Sequence, residues 1–293
     1  MIKIPAITLP LAPQGWFDYK FYLLSDGTLA VLRADRDING QHQAWRNNNM
    51  VGPNPNYLIE NGRLSVINAE GESSYINLPS VIFPLVDRFP DGRWLVAASR
   101  AGREDKNGMV LHADGRPLSS FHLGDGIEHI RCSQDGTIWA GYFDEGVYGE
   151  TIGQSGIAQF TPNGEQVWMY NDPVGSRPLF VDDCYALTLN GNELWACFYS
   201  DFPIMRIVDG RETFWRNTLS GAKALAVENS FVLLAGGYGA DKTRLSLLKC
   251  DGERAHIIGS CNRPEFENAA LLQGQSSAIH IVKSGRVDPN YRF

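Results

Sequence analysis

Three carboxylates occupy comparable places in a repeating pattern. Asp18, Glu128 and Asp183 each fall seven or eight residues before a tight turn, near the start of an apolar segment. If those segments line a common channel, the three acids meet at its mouth. There they can hold a divalent cation such as calcium, orient a basic group, or act as acid and base. Acids at such places also accept backbone hydrogen bonds or pair with cations, and Arg88, Arg131 and Lys223 are candidate partners.

Cys184 and His129 suggest a nucleophile and its base, since a thiolate needs a neighbouring imidazole. Asp182 and Asp183 precede the cysteine, however, and adjacent carboxylates raise a thiol's pKa. A catalytic cysteine is not expected. His42, His112, His122, His256 and His280 show no metal-ligand spacing. Gly236-Gly237-Tyr238-Gly239 lacks the Lys-Ser/Thr of a phosphate cradle, and reads as a glycine-rich loop.

The elements that position these residues are announced by a recurring phrase. A tight Asp-Gly or Asn-Gly turn precedes a hydrophobic strand at Asp26-Gly27, Asp91-Gly92, Asp135-Gly136 and Asn190-Gly191, and in worn form near Asn229 and Gln275. Such turns between apolar runs are a strong hairpin signal. They parse the chain into four-stranded units over residues 15–78, 81–123, 127–170, 180–216 and 222–260. Residues 269–293 supply three more strands, and residues 2–9 supply the missing outer one. The expected fold is an all-β, six-bladed β-propeller, its last blade closed by the N-terminal strand, as a single domain over residues 1–293. A β-sandwich or two smaller β-domains would also use short strands, but the repeat runs through the whole chain. No helical periodicity of useful length is seen, and residues 46–56 read as an extended loop.

In this parse the short turns share one face and the longer, polar and aromatic connections share the other. Long loops on a rigid scaffold are where binding usually resides. Interface candidates there are Trp45 with Arg46, Arg103, Asp144, Glu145, Tyr148 and Tyr238. Trp94, Trp139 and Trp195 recur in successive second strands and read as packing. Lys+Arg 26 against Asp+Glu 33 gives a net charge of -7. That balance disfavours nucleic acid and anionic lipid and suits a basic partner. The five cysteines form no C-x-x-C pair. Residues 1–6 do not read as a signal peptide, and no apolar run would span a bilayer. A reducing cytoplasm is the expected location.

The runs from Asp135 to Gly149, Asp182 to Leu187 and Tyr199 to Pro203 resemble segments of a family of uncharacterised bacterial propeller-like, WD40-like proteins. The resemblance implies a cytoplasmic propeller and brings no activity. Calcium lactonases of the gluconolactonase type are a looser comparison. Asp18, Glu128 and Asp183 are only distant analogues of their ligands, and their early Glu-Gly-Pro phrase is absent. WD40 and Kelch signatures do not repeat here. The expected function is non-enzymatic protein binding by the long-loop face, with neutralisation of a basic bacterial toxin as a concrete version. No cofactor is expected. The alternative is a metal-dependent hydrolase or lactonase at the channel mouth, with a divalent cation on Asp18, Glu128 and Asp183.

Overall fold

The Asp-Gly phrase folds as it does because of its own side chain. In the first turn, Leu24 N–H donates to Thr28 O at 2.9 Å, and Thr28 N–H donates to Asp26 Oδ1 at 2.9 Å. Gly27 sits at φ +82°, a region open to glycine. Asp91, Asp114 and Asp135 repeat the arrangement, each accepting from the backbone N–H two residues on.

The structure, a computed structural model, describes residues 6–7, 11–52, 55–68, 71–172, 177, 179–267 and 269–283. Strand β1 is Ala6–Ile7. The first four-stranded sheet holds β2 (Phe17–Leu23) and β3 (Leu29–Ala34); helix α1 (Ile38–Asn47) and the short strand β4 (Leu58–Ile59) precede its third and fourth strands, β5 (Gly62–Asn68) and β6 (Gly71–Leu78). β7 (Val81–Ile82) pairs with β4. The second sheet is β8 (Pro84–Arg88), β9 (Trp94–Ala98), β10 (Gly108–Leu111) and β11 (Pro117–Phe121). The third is β12 (Ile127–Cys132), β13 (Ile138–Tyr142), β14 (Ile157–Phe160) and β15 (Gln166–Met169), with the short helix α2 (Asp144–Val147) between its middle strands. The fourth is β16 (Asp183–Asn190), β17 (Glu193–Tyr199), β18 (Ile204–Val208) and β19 (Arg211–Trp215). The fifth is β20 (Ala224–Glu228), β21 (Phe231–Ala235), β22 (Arg244–Asp251) and β23 (Arg254–Asn262). β24 (Ala269–Gln275) and β25 (Ala278–Lys283) pair antiparallel, and β1 joins β25 in parallel.

The chain is thus all-β with propeller-like organisation: successive antiparallel sheets, each packed face to face on the next. One hydrophobic cluster joins the first sheet to Val86, Trp94, Val96 and Leu111 of the second. Similar clusters join each later pair, and Val282 with Leu271 packs on Phe21, Leu29 and Val31, so the last sheet returns to the first. Gln273 Nε2 donates to Leu23 O at 2.6 Å and Gln275 Nε2 to Ser25 O at 2.7 Å across the same junction. The tryptophans of the second strands are packing residues, as expected: Trp195 is buried and stacked on Trp215 at 5.5 Å.

Two expectations change. The segment after β3 contains α1, missed because Asn39, Gly40 and Asn47 to Asn49 are poor helix formers. Asp37 caps it by accepting from Gly40 N–H at 2.9 Å, and Ile38 and His42 anchor it, His42 stacked on Tyr57 at 3.5 Å. The N-terminal strand is the outer strand of the last described sheet and pairs directly, in parallel, with that sheet's second strand β25. A third strand within residues 269–293 would fall at 284–293, outside the described residues, as does most of the 2–9 strand.

One buried carboxylate ties three sheets together. Asp87, on β8, is fully buried and accepts from Ser25 N–H at 2.7 Å, from Cys132 N–H at 2.6 Å and from the Ser25 hydroxyl. Burial raises its pKa, opposed by Arg131 and these donors. Asp87→Ala leaves two buried amides without acceptors. It should lower stability by about 2–4 kcal/mol, read as a fall in urea midpoint at unchanged slope. A loss below ~1 kcal/mol would show that the tie is dispensable.

Candidate functional site

The first strands do not run regularly. The register of β2 shifts between Asp18 and Lys20, that of β12 between Ile127 and His129, and that of β16 between Cys184 and Ala186. Each shift leaves one extra residue: Tyr19, Glu128 and Tyr185. Strand side chains alternate in direction, so the position relative to this bulge decides the face. Glu128 sits on the bulge and Asp183 two residues before it, and they share a face. Asp18 sits one residue before it and takes the other. There it meets Arg33, which is 1% exposed, at 2.8 Å, and Arg33 also pairs with Glu72. Asp18 therefore does not join the other two acids, which corrects the three-carboxylate mouth.

Glu128 and Asp183 converge instead with Asp144, the first residue of α2, on a cleft of about 240 Å³. Phe143, Cys184 and Tyr185 complete it, and Lys223 is its one lining cation. Lys223 Nζ lies 4.9 Å from the Tyr185 ring centroid. Burial, then the charges of Asp144 and Glu128, raise the Asp183 carboxyl to about 6 against the opposing effect of Lys223. Tyr238 donates its hydroxyl hydrogen to that of Tyr185, and the rings of Tyr185, Phe202 and Tyr238 meet edge-on at 5.2–5.9 Å. Four elements thus fix the cleft: the β12 bulge, α2, the start of β16 and the loop entering β20.

Behind the cleft runs a channel of about 250 Å³, with lining residues from every first strand, among them Lys20, Val86, Arg131, Leu187, Leu225 and Gln273. Glu128, Tyr185 and Lys223 line both spaces, so the two are continuous. Lys20 is reached by water along the channel, yet protein atoms surround it. Burial lowers its pKa, partly offset by Glu128. His129 is pushed down to about 4, mainly by burial. Neutral at pH 7, it places Nε2 3.1 Å from the Cys184 carbonyl oxygen, to which it donates. It does not face the Cys184 thiol, whose pKa burial raises well above the ordinary range. That geometry generates no thiolate.

The other candidates lie apart. Trp45 and Arg46 ride on α1, and Trp45 Nε1 donates to Gly52 O at 3.3 Å. Arg103 pairs with Glu150, and Glu145 with Arg100, which also binds Asp125 at 2.9 Å. Tyr148, 68% exposed, donates its hydroxyl to Asp182. Arg100, Arg103, Glu145 and Tyr148 thus make internal ion pairs and hydrogen bonds on and around α2. Sequence reasoning missed Lys20 and Tyr185. The signal that could have found them is the bulge, which no single residue type announces.

Among the described residues, no group of three or more His, Cys, Asp or Glu side chains is arranged to hold a metal ion. Calcium takes six to eight oxygens, and with Asp18 turned away and an ammonium group in the cleft the residues present do not fit it. No helix of the described residues is long and apolar enough to cross a membrane.

Comparison with known proteins gives partial likenesses. The YxzG family model matches residues 163–282, less than half of the chain. No curated protein matches. Among solved structures, a protein of unknown function from Bacteroides caccae is 14% identical at a TM-score of 0.43, over 68% of this chain and 66% of that one. Apo AztD from Citrobacter koseri is 12% identical at 0.48, over 87% and 61%. The Cps50 (Swd1) β-propeller domain of Myceliophteria thermophila is 10% identical at 0.47, over 84% and 86%. The chain spans less than two thirds of the length of the first two. The fold rests on the strand pairing described above, and no activity is transferred from these likenesses.

The raised Asp183 has a consequence for stability. Between the ordinary carboxylate pKa of about 4 and its own of about 6, the folded state binds more protons than the unfolded state. Stability therefore falls as pH rises through that window. Asp183→Asn removes the loss. The variant should exceed the wild type at pH 7.5 by up to ~1 kcal/mol, since the group is half exposed and screened, and match it near pH 4. Thermal melts at both pH values decide. A variant less stable than the wild type at pH 7.5 contradicts the electrostatic account.

Proposed function

We propose that this chain is a non-enzymatic binding scaffold that takes a basic group of a protein partner into the cleft of Glu128, Asp144 and Asp183. One observation carries the reading: three carboxylates meet there with a single lining cation, Lys223. The unbalanced charge attracts a cation and steers it from a distance. On this reading the molecule is a single-domain, six-bladed propeller over residues 1–293 closed by its N-terminal strand. The cleft lies on its long-loop face, and the rim around Trp45, Arg103 and Tyr148 offers aromatic and arginine contacts. We extend the proposal to a bacterial cytoplasmic protein without resident cofactor and with neither nucleic acid nor membrane as partner. A net charge of -7 and five free cysteines support that extension. A basic toxin such as a nuclease is one partner class of this chemistry, which would make the chain immunity-like. The hydrolase reading, which called on Asp18, loses that residue to Arg33 and is not pursued.

The triple variant Glu128→Gln, Asp144→Asn, Asp183→Asn tests this. It should fold and weaken binding of a basic protein partner at least tenfold at low salt, as loss of complementary charge does. The wild-type affinity should itself fall steeply with salt. If partners captured by the wild type are retained equally by the triple variant, the cleft is not their site.

A further inference from the structure

The cleft and the channel behind it carry opposite charge. At the mouth stand Glu128, Asp144 and Asp183. The adjoining channel is lined by Lys20 and Arg131, with Glu128 and Lys223 common to the two spaces. Most arginines elsewhere are ion-paired, as with Arg33 to Asp18 and Glu72, Arg177 to Glu212 and Arg206 to Glu193. Lys20, Arg131 and Lys223 make no ion pair among the described residues. Lys20 Nζ lies 5.6 Å from the Tyr22 ring centroid and is acted on by the charge of Glu128. Arg131 is 6% exposed and donates one bond, from Nη1 to Ile130 O at 2.7 Å. Its buried Nε has no partner. Asp87 acts on Arg131 through space, but its oxygens accept from Ser25 and Cys132. A buried guanidinium N–H without an acceptor costs free energy, and the side chain that carries it lines the channel.

An anion alone would be repelled at the mouth, and a cation alone would be repelled further in. A molecule carrying both charges satisfies both ends. Pockets for drug-sized ligands run from about 300 Å³ upward, so a channel of about 250 Å³ is of amino-acid size.

We propose that cleft and channel together bind a small zwitterion of amino-acid type, its cationic end against Glu128, Asp144 and Asp183 and its carboxylate toward Lys20 and Arg131. The proposal rests on the reading of the cleft as a cation site and adds the anion half. Tyr185 and Lys223, shared by the two spaces, lie alongside the bound molecule.

Titration calorimetry with three probes tests it: L-arginine, agmatine, which is the same molecule without the carboxylate, and succinate, which has no amine. Arginine should bind, agmatine at least about tenfold more weakly, and succinate more weakly still, as loss of one charge-assisted contact implies. Lys20→Gln, a change within the channel rather than in the core, should bring arginine down to the affinity of agmatine and leave agmatine unchanged. Equal binding of arginine and agmatine would overturn the zwitterion site while leaving the cation cleft standing. Succinate binding as tightly as arginine, no binding of arginine, or an arginine affinity untouched by Lys20→Gln would also overturn it. None of these results bears on whether the triple acid variant loses a basic protein, so the two proposals fail separately.

Discussion

Covering a sheet on both faces is the constraint on which everything else in this molecule depends. Each described sheet packs on its neighbours, and the last packs on the first, so both faces of the inner strands are buried. Val31, Leu95, Ala140 and Leu194 are buried, and burying a side chain of leucine or valine size contributes about 1.5–3 kcal/mol. Polar groups are then admitted in two ways. Some are enclosed and fully partnered, as Asp87 is by Ser25 and Cys132. Others sit where strands end and the channel opens. The short turns satisfy their own backbone groups through local hydrogen bonds and Asp side chains bonded within each turn.

At the channel, the bulge does the selecting. An extra residue in a strand turns the side chains that follow it to the other face. In β12 it presents Glu128 to the channel, and in β16 it places Tyr185 there with Asp183 two residues earlier. In β2 the same irregularity leaves Asp18 opposite Arg33 and gives the channel Lys20 instead. Strands built alike thus deliver an acid, an aromatic hydroxyl and an amine to one space. The opposite charges of mouth and channel come from these small differences in register.

Much of the fold was legible because its signals are local. Asp26-Gly27 and Asp135-Gly136 are turns that bond to themselves, so the strand order could be read without tertiary information. The loop asymmetry followed from the same punctuation, and it led to Glu128, Asp144 and Asp183. What remained hidden depends on distant partners. Arg33 claims Asp18 from fifteen residues away along a hairpin. Helix α1 forms from poor helix residues because Ile38 and His42 find burial. Lys20 looked like an ordinary surface lysine, since nothing in residues 17–23 says that the first strands of five other sheets will line the same channel.

The pattern of unpaired charge argues against an inert channel. Buried or half-buried charges without partners lower stability, and this chain pairs most of its others: Arg33 with two carboxylates, Arg177 with Glu212, Arg206 with Glu193. Arg131 is buried and Asp183 part-buried without an ion pair among the described residues, and the exposed Lys20 and Glu128 stand with them in one continuous space. Leucine or glutamine in their places would suit a molecule that needed only to stand. Sequences break local rules at sites of function and compensate elsewhere. Here the compensation is visible in the tie at Asp87 and the glutamine bonds from Gln273 and Gln275 that hold the last sheet to the first. The packed sheets are tied firmly enough to carry a channel lined by unpaired charge.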